Sequence, residues 1–198
     1  EFQIWSYKCC TNIQIIKALN SFITDHAPAA KVVVHRDKDY MGLSEIVTYK
    51  ESLERIGIKV FITKGNDAES YFVSKEHVNS VYPEVDLEQA STFLEESVIE
   101  RRDKIIEKMI NTRHMRQLQA SYSGGNKPDA GAISTMCNSE FDQAPLISLH
   151  GKIVEGAIKN KLQGHIGGNI DLRVESAALN DITLRQISDE IWRQGDAC

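Results

Sequence analysis

Apolar positions recur along the chain at two periods, and the switches between them mark out the elements. Residues 2–8 (FQIWSYK) alternate apolar and polar, the pattern of a strand. Ile13, Ile16, Leu19 and Ile23, with Phe22, then recur at helical spacing behind Thr11 or Asn12 as a cap, and Pro28 closes the connection. Lys31-Val32-Val33-Val34 reads as a short strand buried on both faces, ending where the chain turns polar at His35. Gly42 and Ser44 open a second helix with Ile46, Val47, Leu53 and Ile56 on one side, stopped by Gly57. Ile58 to Thr63 is the next strand. Strand, helix, strand at this spacing predicts a right-handed parallel βαβ unit.

Beyond residue 63 the periodicity lengthens. Asp86 to about Leu118 reads as one long helix, or two joined end to end. Ser121 to Pro145 is rich in Gly, Ser, Asn and Asp, shows no period, and reads as a long loop. Leu146 to Lys152 leads into an amphipathic helix carrying Ile153, Val154, Ala157, Ile158 and Leu162. A last short helix spans Leu184, Ile187 and Ile191. The fold class expected is α/β, a parallel sheet flanked by helices at residues 1–80, followed by a mainly helical region at 81–198 with its long loop near 121–145.

Composition narrows the function classes. Of 198 residues 41% are hydrophobic, enough for a core, and no apolar run approaches the ~20 residues of a membrane span. With no signal-peptide pattern in the first residues, the expectation is a soluble cytoplasmic protein that engages no membrane. A net charge of −5 argues against a uniformly basic nucleic-acid binder but leaves room for a local basic groove. Cys9, Cys10, Cys137 and Cys198 form no CxxC pair, which disfavours zinc and fits a reducing compartment. The sequence holds no G-x-x-x-x-G-K-[ST] phosphate loop, so any ATPase function belongs elsewhere.

Asp37 and Asp39 carry the first candidate chemistry. They sit two apart at the carboxyl end of the valine strand, where extended backbone turns both side chains to one side. Ligand sites of open α/β sheets lie at that end. Two such carboxylates are either a hard-oxygen site for Mg²⁺ or Mn²⁺, or solvated turn aspartates. After the next strand comes Lys64-Gly65-Asn66-Asp67-Ala68-Glu69-Ser70-Tyr71-Phe72, in which Asp67 can cap a short helix and Glu69 can join the metal cluster. Charge along residues 84–118 is polarised. Residues 84–100 hold six acids and no Lys or Arg, whereas 101–118 hold six basic residues against Asp103 and Glu107, net +4. Such a helix is either a solvated one obeying its own dipole or a basic rail for a phosphate backbone, with Arg101, Arg102 and Lys104 leading it. Lys152, near the start of a helix where the dipole disfavours cations, is either a surface lysine or a lysine placed for an anion.

Taken together, the strand ending in His-Arg-Asp-Lys-Asp, the βαβ step, the Gly-Asn-Asp-Ala-Glu-Ser-Tyr-Phe run and the later His-Gly-Lys resemble a TOPRIM domain. The closest kind is that of the overcoming-lysogenization-defect (OLD) family and related ATPase-linked nucleases. The resemblance covers residues 1–75 and, more loosely, the segment around Lys152. It implies a Rossmannoid parallel sheet and a DNA endonuclease working with Mg²⁺ or Mn²⁺. Asp37 and Asp39 would hold the metal. Glu69, or less readily Asp67, would help hold a second, and Lys152 would assist cleavage. It also implies an ATPase domain or subunit as partner, and anti-phage defence as the setting. The family places a further glutamate on a strand upstream of the paired aspartates. Residues 2–8 match the second strand of such a domain, so the chain reads as beginning inside it or as a variant without that glutamate. An unpaired sheet edge would then favour homo-oligomers.

Two other functions compete. A TOPRIM-shaped regulatory or interaction module without catalysis is favoured by the missing glutamate. A sugar-nucleotide transferase also uses paired aspartates after a buried strand, but would leave Glu69 and Lys152 without roles.

Overall fold

Residues 13–193 are described in a computed structural model, in which helices α1 (Ile13–His26) and α2 (Leu43–Glu54) alternate with strands β1 (Val33–Arg36) and β2 (Lys59–Ile62). Six further helices follow: α3 (Lys75–Val81), α4 (Leu87–Glu100), α5 (Arg102–Ser121), α6 (Ala130–Gln143), α7 (Gly151–Ile166) and α8 (Ile182–Arg193). The class is α/β, mostly helical, and the described residues hold one parallel two-stranded sheet. These are two of the three strands expected. The strand expected at residues 2–8 and the cap at Thr11 or Asn12 lie outside the described residues.

The chain divides into two compact units. Among the described residues, one takes 13–36, Met41–Thr63 and 181–193; the other takes Asp37–Tyr40 and Lys64–Asn180. This division is interleaved along the chain, because the segments that follow each strand cluster with the later helices.

In the first unit β1 and β2 pair in parallel, with Val34 opposite Val60 and Arg36 opposite Ile62. Val34 and Val60 share a core with Ile16 of α1, Tyr49 and Leu53 of α2, and Ile58. The valine strand is buried on one face rather than both: Val34 and Arg36 are buried while His35 is exposed, its ring 5.6 Å from that of Phe61. Arg36 tolerates burial because its guanidinium lies 4.2 Å over the Tyr49 ring. On α2 the buried positions are Tyr49 and Leu53, whereas Val47 and Ile56 of the expected face are exposed. Gly57 adopts φ 79°, the left-handed value that lets the chain turn from α2 into β2.

The second unit is helical. The Asp86 to Leu118 segment is two helices joined at Arg101, which caps α4 and opens α5. Most of the loop expected over 121–145 is α6. Asp129 caps it through a 3.0 Å hydrogen bond from Ala132 N, and Ile133, Cys137 and Phe141 bury one stripe at spacing four. Among the described residues, 122–129 and Ala144 of that stretch remain outside a helix. Buried His77 ties down the segment after α7: its ring nitrogens lie 2.7 Å from Leu172 O and 2.7 Å from Ser176 Oγ. No described helix is long and apolar enough to cross a membrane.

Candidate functional site

The turn after β2 organises the site within the second unit. Gly65 lets the chain reverse tightly, since a Cβ there would fall 2.4 Å from Ser70 Cβ. Asn66, buried at its centre, commits its carbonyl and both ends of its side-chain amide. Its carbonyl accepts from Asp39 N at 2.9 Å and its Oδ1 from Tyr40 N at 3.1 Å. Its Nδ2 donates to the carbonyls of Ile147 (3.0 Å) and Leu149 (2.8 Å). One asparagine thus joins the loop after β1, the turn after β2 and the approach to α7. Asp39 and Tyr40 take left-handed backbone angles, φ 46° and 61°, unusual for residues with a Cβ and held here by those bonds. Tyr40 is further fixed by its hydroxyl, which donates to Ser148 O at 3.2 Å. Burial, reinforced by the carboxylates of Asp67 and Asp39, pushes that phenol well above its ordinary range.

Asp67 is 1% exposed. Its Oδ1 accepts from Ser70 N (3.1 Å), from Ser70 Oγ and from Gly151 N (2.7 Å), and its Oδ2 from Lys152 N (2.9 Å). Nδ1 of His150 lies 2.7 Å from the same Oδ2, off the direction of a well-formed hydrogen bond. Burial alone would raise this carboxyl's pKa. The contact from His150, the amide of Lys152, Ser70 and the amide of Gly151 together outweigh it and hold the group well below the carboxylate range. Asp67 therefore caps two elements, the 3-10 turn Ala68–Tyr71 and the N-terminus of α7. A carboxylate offers about four lone-pair sites. Three hydrogen bonds reach Oδ1, and Lys152 N and the His150 ring take up Oδ2, so Asp67, the less favoured candidate for the second metal, is engaged here as a structural anchor.

The remaining expected residues converge on this anchor. Asp37 Oδ1 accepts from Ala68 N at 3.0 Å, which places the first aspartate against the residue before Glu69. Glu69 Oε1 lies 3.4 Å from Lys152 Nζ. Asp39 Oδ1 lies 3.9 Å from Lys108 Nζ on α5, and the Arg116 guanidinium donates to the Asp39 carbonyl. α7 docks so closely that a Cβ at Gly151 would fall 2.2 Å from the carbonyl carbon of Glu69. Lys152 is thereby set opposite Glu69 by backbone contacts rather than by its own side chain.

The basic residues at the start of α5 have other partners. Arg101 pairs with Glu100 at 3.1 Å. Arg102 reaches Asp142 at 2.9 Å and Asn138 at 3.1 Å across α6, with its guanidinium 5.6 Å over the Phe141 ring. Lys104 is exposed. A groove of 240 Å³ runs along this face, lined by Arg102, Asn138, Asn111 and the acids Asp103 and Glu107. None of the residues around Asp67 lines it. Asn66, Tyr40, Lys108 and Arg116 were not singled out individually by sequence.

Among the described residues, no group of three or more His, Cys, Asp or Glu side chains stands at metal-holding separation. Mg²⁺ asks for less: it commonly takes one or two protein carboxylates and completes its octahedron with water and substrate phosphate. Asp37 and Asp39 are hard-oxygen donors of that kind, with Glu69 on the adjoining turn, but Asp39 at φ 46° departs from the extended backbone expected to turn both carboxylates to one side. No protein-family model, curated protein or solved structure matches the chain.

Proposed function

We propose that the chain is a divalent-metal-dependent nuclease module of TOPRIM type that hydrolyses DNA phosphodiesters and works with an ATPase partner. The observation supporting this is the convergence of three distant segments. Asp37 is bonded to Ala68 N, next to Glu69, and Glu69 faces Lys152 at the start of α7. Asp37 and Asp39 hold Mg²⁺ or Mn²⁺, which supplies an activated water and charge stabilisation at the phosphorus. Lys152, 59% exposed, neutralises charge that builds on the phosphate oxygens. Asp67, Asn66 and Gly151 keep the three segments in register.

The test is metal-dependent nicking of supercoiled plasmid by the wild type, Asp37→Asn and Lys152→Ala. Nicking with Mg²⁺ or Mn²⁺ that both substitutions abolish supports the assignment. Nicking that survives both removes it. A non-catalytic module of the same shape is favoured by one observation, the absence of a three-residue metal cluster among the described residues. Metal binding without any nicking would select that alternative.

A further inference from the structure

Lys108 is the cation nearest the Asp39 carboxylate, and its contact is loose. The 3.9 Å separation from Oδ1 exceeds a hydrogen bond, and the lysine is 42% exposed. Lys152 meets Glu69 in the same manner, at 3.4 Å. Elsewhere in the unit, Arg102, Arg113, Lys159 and Lys161 each reach a carboxylate at 2.9 Å or closer. The two lysines at the candidate site are thus held in place mainly by charge. The backbone of the Asp39 loop, by contrast, is pinned: Asn66 O accepts from Asp39 N, and Arg116 donates to Asp39 O. An exchange of cations at the Asp39 side chain therefore needs no movement of its loop.

We propose that Lys108 is the resident counter-cation of Asp39, displaced when a divalent ion takes that carboxylate and then free to bind a backbone phosphate of the nucleic acid. This rests on the metal-dependent reading of the site. A solvent-exposed lysine–carboxylate pair is weak, so a divalent ion with hard-oxygen preference displaces it readily. The released ammonium has three donors and no acceptor, and it stays tethered to α5 beside the metal. A nucleic-acid phosphate drawn to an ion on Asp39 would approach the same carboxylate that Lys108 neighbours, and lysine recognises phosphate as a point charge. The order of events follows: metal first, then nucleic acid at Lys108.

Mn²⁺ titration by calorimetry of the wild type, Lys108→Met, Lys108→Gln and the exposed control Lys127→Met tests the first half. Both Lys108 variants are expected to bind Mn²⁺ about two- to fivefold more tightly than wild type, the release of one exposed ion pair, with Lys127→Met unchanged. Salt dependence of duplex-DNA binding, measured with Ca²⁺ present and with chelator, tests the second half. With Ca²⁺ the Lys108 variants should lose roughly one unit of slope in log affinity against log salt. With chelator they should match wild type. Equal Mn²⁺ affinity in wild type and variants overturns the exchange, as does a Ca²⁺ slope identical to wild type. Failure of the wild type itself to bind Mn²⁺ removes the metal reading and this inference together.

Discussion

The amide of Gly151 donates a 2.7 Å hydrogen bond to Oδ1 of Asp67, eighty-four positions earlier in the chain. The next amide, Lys152 N, donates to the other oxygen at 2.9 Å. A carboxylate at a helix N-terminus is stabilised by the open amides and by the dipole. Here that ordinary cap also fixes where the Lys152 side chain begins, and so couples the stability of α7 to the geometry of the candidate site.

Replacing Asp67 by Asn should cost on the order of 2–4 kcal/mol, because an amide group would then face buried N–H donors with donors of its own. Urea melts report this directly. The same carboxyl sets an acid limit. Its folded pKa lies below its unfolded value near 3.9, so its contribution is fully present above that value and is lost as pH falls toward the folded one. Wild type should therefore lose stability steeply below about pH 4, and Asp67→Asn should lose measurably less over the same interval. Parallel acid slopes in the two proteins would show that Asp67 is not the group responsible.

Gly151→Ala should destabilise by more than about 2 kcal/mol, since its Cβ would meet backbone at 2.2 Å rather than a movable side chain. Helix propensity favours Ala over Gly by about 1 kcal/mol, so the sign of the measured change is decisive. A stabilised variant in a thermal melt would show that α7 does not dock on Glu69 and Ser70.

The βαβ step and the helix at Gly151 were legible because their signals are local: a valine run, a Gly57 stop, and apolar residues at spacing four from Val154 to Leu162. Asp37, Asp39, Glu69 and Lys152 stand out in the sequence as candidates by type and position, and the structure brings Asp37 to the residue before Glu69 and Glu69 to Lys152. What stayed hidden was relational. Nothing local says that Asn66 bonds to positions 147 and 149, or that Asp67 turns inward while Glu69 faces a lysine. α6 was missed for a different reason. Its Ile133, Cys137 and Phe141 stripe is thin, and small polar residues around it mimic loop composition while tertiary burial decides the outcome. The partners of the basic run on α5, Asp142 and Glu140, could not be read from the sequence because they sit on that same helix.

Asp39 offers a way to separate conformation from ligation. Its φ of 46° costs an alanine about 1 kcal/mol that a glycine does not pay. Asp39→Gly and Asp39→Ala should lose metal affinity equally, since both remove the carboxylate. The glycine variant should nonetheless be more stable by about 1 kcal/mol. Mn²⁺ titration and chemical denaturation of the pair provide both readouts. Unequal metal affinities would mean that loop conformation, not the carboxylate, sets binding.

Arg102 and Lys104 are two positions apart in the first turn of α5 and should behave oppositely. Arg102 is committed to Asp142 and Asn138 on α6 and lies over Phe141. Truncating it to alanine removes a bridge between two helices and the packing of its stem, a loss of about 1 kcal/mol for a partly exposed pair. Lys104 is exposed and should be removable at no more than about 0.5 kcal/mol. For nucleic acid the order inverts. A guanidinium already shared between a carboxylate and an amide has few donors left for phosphate, whereas a free ammonium releases a counterion when it binds one. Arg102→Ala should therefore lower the unfolding midpoint and keep the wild-type salt slope of DNA binding. Lys104→Ala should keep the midpoint and flatten the slope by roughly one unit. A flattened slope in Arg102→Ala at unchanged stability would show that the bridge to α6 opens to take phosphate, and would return Arg102 to the basic rail.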